Sequence, residues 1–251
     1  MNCKSLSIIA ALSVAPLFAA VETGNTFCRI AVKPGTANVI LSIPLSACGT
    51  GGDIKVTDLV LTTGLSNNTY LKAESSSGAG WDVWKINNNG NWEAVTVSSG
   101  TGQSETRAAA EVTLARGKAV WLERPAEDKD KVIYLYGQVG TSAASTTVAQ
   151  GAPGAATFTL LGHSKPEAYE LSKANNWTGC VEGDQILLTL NGKNTMLKYK
   201  NSEEKWVVLS TKVENGLVDL VETSVTESKI TVPAGQGFWY RSVGGNPTIN
   251  W

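Results

Sequence analysis

The sequence predicts an all-β fold of two tandem homologous units, each a β-sandwich or a barrel-like sheet. The composition is the first reason. Gly 25, Thr 25, Ser 21 and Asn 17 make up more than a third of the 251 residues, and these residue types favour turns and short strands. The second reason is that similar segments occur once in each half of the chain. Packing of the two units into one pseudo-two-fold domain is left open.

Residues 1–20 have the pattern of a secretory signal peptide. Lys4 supplies the positive charge, residues 6–18 form a short apolar run, and the small residues Ala19 and Ala20 follow. The run is shorter than the roughly 20 residues that a membrane-spanning helix needs. We therefore expect cleavage after Ala19 or Ala20, with no integral membrane segment once the leader is removed. The expected location is secreted, cell-surface or periplasmic.

The clearest repeat is a β-branched strand, a glycine turn and an aromatic strand. Gly117 and Trp121 carry it in the first half, and Gly235 and Trp239 carry it in the second. In both halves the tryptophan comes four residues after the glycine. This pattern predicts a strand, a turn and a second, aromatic strand at the same place in each unit.

Two further segments recur upstream of that hairpin. Residues 48–54 resemble residues 180–186, and a hairpin at 84–92 resembles one at 199–206. Between the two repeats lies a stretch rich in Gly, Ala, Ser and Thr, a composition that is typical of a flexible connector.

These repeats divide the mature chain. We predict a first β unit at 21–137, a connector at 138–156 and a second β unit at 157–251. An insertion at 165–178 in the second unit carries a polar run that predicts the one short helix of the chain.

The segment 233–241 (Pro-Ala-Gly-Gln-Gly-Phe-Trp-Tyr-Arg), its counterpart at 116–124 and the closing stretch 246–251 point to a known family. The chain resembles uncharacterised secreted bacterial β-rich proteins with a repeated Gly-x-x-x-Trp strand motif. The resemblance extends from Phe27 over most of the mature chain. It implies export and an all-β fold, and it implies no catalytic or binding residue.

Three cysteines, Cys28, Cys48 and Cys180, remain after removal of a leader that contains Cys3. An exported chain meets oxidising conditions, which favours one disulfide and one free thiol. Cys48 and Cys180 have equivalent positions in the two repeats, so we predict a Cys48–Cys180 bridge. The alternatives are no bridge and a different pairing. Cys28 is then expected to be a buried small residue, with a reactive thiol as its alternative.

Few residues for catalysis are available. His163 is the single histidine, and its place at the end of an apolar strand favours a role in a turn. No Gly-x-Ser-x-Gly elbow is present, and the cysteines lack the paired spacing of a zinc site. We expect no catalytic residue, no metal and no cofactor. A glycosidase needs only two carboxylates and is left open. The candidate carboxylates are Asp53, Asp82, Glu123 and Asp184.

Tryptophan is in excess, with eight residues in the chain. Aromatic residues that match between the repeats are expected to form the cores, where each ring buries about 150–250 Å². The matched pairs are Trp84 with Tyr199, Trp92 with Trp206, and Trp121 with Trp239.

The unmatched tryptophans predict a ligand site. Trp81 and Trp84 are three residues apart, so their side chains point to opposite faces of a strand and an inward Trp84 leaves Trp81 exposed. Trp177 lies in the 165–178 insertion next to asparagines, and Trp251 ends the chain. We name Trp81, Asp82 and Trp177 as a candidate glycan-binding site. The alternative is ordinary packing under a loop.

The 21 Lys+Arg residues balance 22 Asp+Glu residues, and only 17% of the chain is charged. This excludes the electrostatic footprint of a nucleic-acid-binding protein. We expect an exported non-catalytic protein that binds or has a structural role at the surface, with polysaccharide or other surface proteins as partners. The alternatives are a carbohydrate-binding module using exposed tryptophan and a glycoside-active enzyme.

Overall fold

The computed structural model describes residues 26–75, 80–97, 104–108, 112–140, 145–150, 155–171, 177–190, 192–214, 217–224 and 230–250. The leader predicted at 1–20 and Trp251 lie outside these residues. The strands of the first half are β1 (Phe27–Val32), β2 (Asn38–Ser42), β3 (Leu45–Ser46), β4 (Ile54–Lys55), β5 (Tyr70–Glu74), β6 (Trp81–Ile86), β7 (Trp92–Val97), β8 (Ser104–Ala108), β9 (Thr113–Leu114), β10 (Ala119–Glu123) and β11 (Ile133–Val139). A short helix α1 (Val56–Leu59) and a 3₁₀ turn (Ala126–Asp128) interrupt them.

The second half is built in the same way. Its strands are β12 (Ser145–Thr147), β13 (Thr157–Gly162), β14 (Tyr169–Glu170), β15 (Trp177–Thr178), β16 (Gln185–Leu190), β17 (Lys193–Lys200), β18 (Lys205–Glu214), β19 (Leu217–Ser224), β20 (Thr231–Val232), β21 (Gly237–Ser242) and β22 (Thr248–Asn250). A 3₁₀ turn (Asn201–Glu203) joins β17 to β18. No described helix has the length and apolar character of a membrane-crossing segment.

Each half contains a six-stranded, a three-stranded and a two-stranded antiparallel sheet. The orders in the first half are β2-β10-β5-β6-β7-β8, β1-β11-β3 and β4-β9; those in the second half are β13-β21-β16-β17-β18-β19, β12-β22-β15 and β14-β20. The all-β prediction is confirmed. The two large sheets have the same strand order, as a repeat requires, while homology of the two halves stays a prediction.

The helix predicted in the 165–178 insertion is not formed over residues 165–170, while residues 172–176 lie outside the described residues. The described parts of the insertion contain the short strands β14 and β15, and Leu171 after β14 is in a 3₁₀ conformation. Tyr169 and Leu171 are buried and Glu170 between them is half-buried. Within the predicted connector, β11 continues to Val139 and β12 pairs with β22, with the buried Thr146 opposite Ile249.

Each half buries its apolar side chains between its large sheet and its three-stranded sheet. In the first half, Leu71 and Trp84 of the large sheet belong to the same buried cluster as Leu135 of β11. In the second half, Trp206 and Tyr240 of the large sheet pack in one cluster with Ile249 and other side chains. Because side chains alternate along a strand, the neighbours of these residues lie on the opposite, outward face of each large sheet.

The two large sheets meet along β2 and β13. Leu41 forms an isolated bridge with Gln236, and Leu161 forms one with Lys118. In the sheets, Leu41 lies opposite Val120 and Leu161 lies opposite Phe238, so Leu41 and Leu161 occupy corresponding positions of the two halves. Each of them contacts the other half at a corresponding position, Gln236 or Lys118. Such reciprocal contact is the pattern of a two-fold interface.

Backbone hydrogen bonds repeat this reciprocity. Ser42 N donates to Gly235 O at 2.9 Å, and Gly162 N donates to Gly117 O at 3.0 Å. The approach is so close that a Cβ added at Gly162 would lie 2.7 Å from Ser42 Cα. Glycine at 162 therefore lets the two backbones come together at the junction.

Candidate functional site

Four aromatic side chains meet on the outward faces of the two large sheets where the halves join. Trp121 and Trp239 have ring centroids 6.1 Å apart, and Trp81 lies 6.2 Å from Trp121 and 5.8 Å from Trp239. Phe158 lies 6.4 Å from Trp239. All four contacts are edge to face, the arrangement that the ring quadrupole favours. We call Trp81, Trp121, Phe158 and Trp239 the junction cluster.

The prediction that Trp121 and Trp239 belong to the cores is wrong. Both neighbours of each tryptophan in its strand are completely buried, so the alternation of the strand turns the two indoles outward. They remain half-buried because they cover each other across the junction. The matched residues Trp84, Trp92 and Trp206 are buried as expected.

A cavity of about 320 Å³ lies beside the junction cluster. Its floor includes Trp121 and Trp239, and strands β2, β16 and β17 form its walls. The cavity is also lined by Asn38, Ile40, Thr189, Asn194 and Gln236. We call this cavity the junction pocket. A cavity with aromatic walls and a few polar groups is the usual form of a small-ligand site.

The structure does not assemble the predicted glycan site. Trp177 is only 8% exposed, stacks against Tyr240 with centroids 5.8 Å apart, and donates its indole N–H to the Tyr169 hydroxyl at 3.0 Å. It is a core residue of the second half and has no face free for a sugar. Trp81 is 40% exposed, as predicted, and belongs to the junction cluster. Asp82 alternates with Trp81 and therefore lies on the other face of β6.

The four candidate carboxylates have different surroundings. Asp184 is completely buried and accepts hydrogen bonds from the Tyr240 hydroxyl at 2.8 Å and from two backbone N–H groups. Glu123 is paired with Lys72 at 2.5 Å on the outward face of the first large sheet. Asp82 lies on the other face of that sheet, and Asp53 is exposed in a loop. Glu123 and Asp82 therefore lie on opposite faces of one sheet, and Asp184 is engaged by three hydrogen-bond donors.

Cys180 and Cys28 are free thiols, so the structure does not contain the predicted Cys48–Cys180 bridge. Cys180 Sγ lies 3.7 Å from the Tyr240 hydroxyl oxygen inside the second half. Burial raises the pKa of Cys180 to about 11 and also raises the pKa of Cys28. Both are weak nucleophiles at neutral pH, because only the thiolate is reactive.

His163 packs in the way that the sequence predicts for a turn residue. It is 5% exposed, its ring stacks on Tyr169 with centroids 4.9 Å apart, and Nδ1 lies 3.3 Å from the carbonyl oxygen of Glu167. Burial lowers the pKa of His163, against a smaller opposing effect of the Glu167 carbonyl. Over the part of the chain that the structure describes, no group of three or more His, Cys, Asp or Glu side chains could hold a metal ion.

Asn38 and Asn194 line the junction pocket and were not among the site residues predicted from the sequence. A signal was present, since the register of the two hairpins places Asn194 where the other half has Trp81. To recognise this signal one needs the strand pairing, which the sequence does not supply.

No protein-family model, curated protein or solved structure matches this chain.

Proposed function

We propose that this protein is exported and acts by binding, without catalysis, at the cell surface or outside the cell. The junction cluster with its pocket carries the proposal. Trp81 and Phe158 keep 40% and 52% of their surfaces exposed there, and clustered exposed aromatic rings are typical of interaction sites. Polysaccharide and other surface proteins are the expected partners. Export is supported by the charge, the apolar run and the small residues of the leader at 1–20.

The use of the buried charged groups supports a non-catalytic role. Asp128 is 1% exposed and accepts hydrogen bonds from Ser66 N at 3.1 Å and Ser66 Oγ at 2.5 Å, besides its ion pair with Lys131. Arg124 is 4% exposed and donates to backbone carbonyls, among them that of Thr36 at 2.6 Å. These groups hold loops in place, and neither opens onto the junction pocket.

The test is a pulldown of the purified mature chain on insoluble polysaccharides, with release of reducing ends measured in the same tubes. We expect retention without release of sugar. Trp81→Ala and Phe158→Ala should reduce retention, while Lys193→Ala, outside the junction cluster, is the matched control. Release of sugar that is lost in Glu123→Gln or Asp82→Asn would overturn the non-catalytic proposal in favour of a glycoside-active enzyme.

Assembly into a surface structure is the second candidate function. The edge strand β19 of the second large sheet exposes Leu220 at 69% and Val221 at 36%, and exposed apolar edge strands are templates for pairing with another chain. Mass that grows with concentration in light scattering, and that Leu220→Lys prevents, would favour this function. A monomer at every concentration would exclude it.

A further inference from the structure

The junction pocket has a filled counterpart in the other half of the molecule. In the strand pairing, Lys72 lies opposite Trp121 as Leu187 lies opposite Trp239. Two residues further along, Glu74 corresponds to Thr189.

The next strand extends the correspondence. Glu74 faces Trp81 and Thr189 faces Asn194. Likewise, Asn38 pairs with a residue two positions beyond Trp121, and Phe158 with one two positions beyond Trp239. Trp81 thus corresponds to Asn194, and Phe158 corresponds to Asn38.

In the filled half, Trp81 and Glu74 occupy the space beside the two central indoles. The Trp81 ring lies edge to face against both Trp121 and Trp239. One oxygen of Glu74 accepts a hydrogen bond from Leu160 N at 2.7 Å, which joins the halves. Burial raises the pKa of Glu74, and Lys118 and the Leu160 N–H oppose this.

In the open half the corresponding side chains are too short to fill the same space. Asn194 and Asn38 replace the two rings, Thr189 replaces the carboxylate, and the space is the pocket of about 320 Å³. Thr189 Oγ1 is engaged with Asn194 Oδ1 at 3.0 Å, which leaves the Asn194 amide nitrogen as a donor toward a ligand.

The backbone of β2 also presents a donor here. Ile43 N donates to Lys118 O within the sheet, and Ser42 N donates outward to Gly235 O. Successive N–H groups of a strand point to opposite edges, so the Ile40 N–H points outward like that of Ser42. Leu160 N, which is satisfied by Glu74, has the corresponding place in the other half. A ligand oxygen in the pocket would therefore take the role of the Glu74 oxygen.

The charges define the ligand further. Gln236 stands in the pocket where Lys118 stands in the filled half, and its amide nitrogen is already bound to Thr189 O. The described residues that line the pocket include no charged side chain. A carboxylate ligand would lack a counter-charge. A neutral hydroxyl can accept a hydrogen bond from the Ile40 N–H and can form hydrogen bonds with the side-chain amides of Asn38 and Asn194.

We propose that the junction pocket binds one neutral pyranose ring of a glycan. The C–H face of the ring packs on Trp121 and Trp239 where Trp81 packs in the other half, and its hydroxyls bond to Asn38, Asn194 and the Ile40 N–H. This inference deepens the proposed function and rests on it. It moves the sugar site from Trp177 and Asp82 to the opposite side of the junction from Trp81.

The experiment uses the mature chain and follows tryptophan fluorescence and calorimetry during titration. The probes are short neutral oligosaccharides, matched uronic-acid oligosaccharides and indole. We expect saturable binding of a neutral oligosaccharide, with little response to the uronic acids and indole. Asn194→Trp copies the filled half and should weaken this binding at least about tenfold, a loss of about 1.4 kcal/mol. Asn38→Ala and Asn194→Ala should each weaken it several-fold.

The matched control is Asn89→Trp, which adds an indole in the exposed turn between β6 and β7, outside the junction pocket, and should leave the binding unchanged. Circular dichroism and the urea midpoint establish that each variant is folded. Neutral sugar binding that Asn194→Trp leaves unchanged would overturn the pocket while leaving a binding function in place. Tighter binding of indole or of uronic-acid oligosaccharides than of neutral oligosaccharides would overturn the assignment of a neutral pyranose as the ligand. If neither the parent protein nor any variant binds an oligosaccharide, and the protein is not retained on polysaccharide, the proposed function itself is contradicted.

Discussion

Trp121 and Trp239 meet edge to face across the junction, with ring centroids 6.1 Å apart and 79° between the ring planes. They occupy corresponding positions of two sheets with the same strand order. The two halves share the outward faces of these sheets, and Ala234 of the second half also packs against the core of the first half. The binding surface is therefore a property of the junction and of neither half alone.

Tryptophans of the core and of the junction cluster should differ in their effect on stability. Trp84 is 1% exposed, and Trp84→Ala is expected to lower the free energy of unfolding by about 3–5 kcal/mol through loss of burial and a cavity. Trp81→Ala should cost about 1 kcal/mol, because that ring is partly in solvent. Urea denaturation of both variants checks this, and equal costs would contradict the division between core and cluster.

Close approach of the halves predicts a strong effect of a single methyl group. A Cβ at Gly162 would collide with the backbone at Lys118 O and Ser42 Cα, so Gly162→Ala should destabilise the protein by about 1–3 kcal/mol. Gly244→Ala is the control, since a Cβ there meets nothing within 4 Å. Thermal unfolding compares the two. A Gly162→Ala protein as stable as the parent would mean that the halves do not pack as described.

The two aspartates that the sequence places in equivalent turns should behave differently. Asp184 is completely buried and accepts hydrogen bonds from Tyr240 and from the N–H groups of Val181 and Val243. Asp184→Asn puts a donor among these donors and should cost about 2–3 kcal/mol. Asp53 is exposed, so Asp53→Asn should change the urea midpoint little. Similar effects of both substitutions would contradict the structural assignment of Asp184.

The single histidine predicts a pH dependence of stability. Burial lowers the pKa of His163, and nearby Lys165 adds to this against the attraction of Glu167. The unfolded chain then binds a proton more readily than the folded one, so stability falls as the pH drops below about 6.5, the usual histidine value. Urea midpoints between neutral and mildly acidic pH should fall more for the parent than for His163→Asn. Parallel curves would exclude this linkage.

The free thiols of Cys28 and Cys180 can be counted directly. Because burial raises their pKa values, alkylation of the native protein should be slow at mildly alkaline pH and should become fast on unfolding. Peptide mass spectrometry without reduction identifies the labelled residues. Recovery of a peptide that links Cys48 to Cys180 would contradict the structure and restore the bridge predicted from the repeat.

Local patterns carried the fold class. Turn formers and short apolar or aromatic runs predicted strands, and the aromatic hairpins at 84–92 and 199–206 are present as β6–β7 and β17–β18. The helix predicted in the 165–178 insertion is not formed over residues 165–170, because a polar run with proline suits several local structures. Tyr169 and Trp177 are strand residues buried in the second core.

The candidate site depended on information that is not local. Alternation along β10 and β21 tells which side chains share a face, but it does not tell which face is covered, so Trp121 and Trp239 were assigned to the cores. Trp177 was assigned to the surface for the same reason. Asn38 and Asn194 were not predicted as site residues, because their place in the site depends on β2 and β17 lying on two sides of one pocket.

The amino-acid pattern alone was enough for an all-β chain, because turn chemistry and side-chain alternation act over a few residues. The side chains that cover the outward face of each large sheet are determined by the contact between β2 and β13, which only the tertiary structure shows. That contact depends on backbone approach at glycines far apart in the chain and on side chains from both halves. On one side of the junction Trp81 fills the space beside the two indoles, whereas on the other side the shorter Asn194 leaves the pocket open.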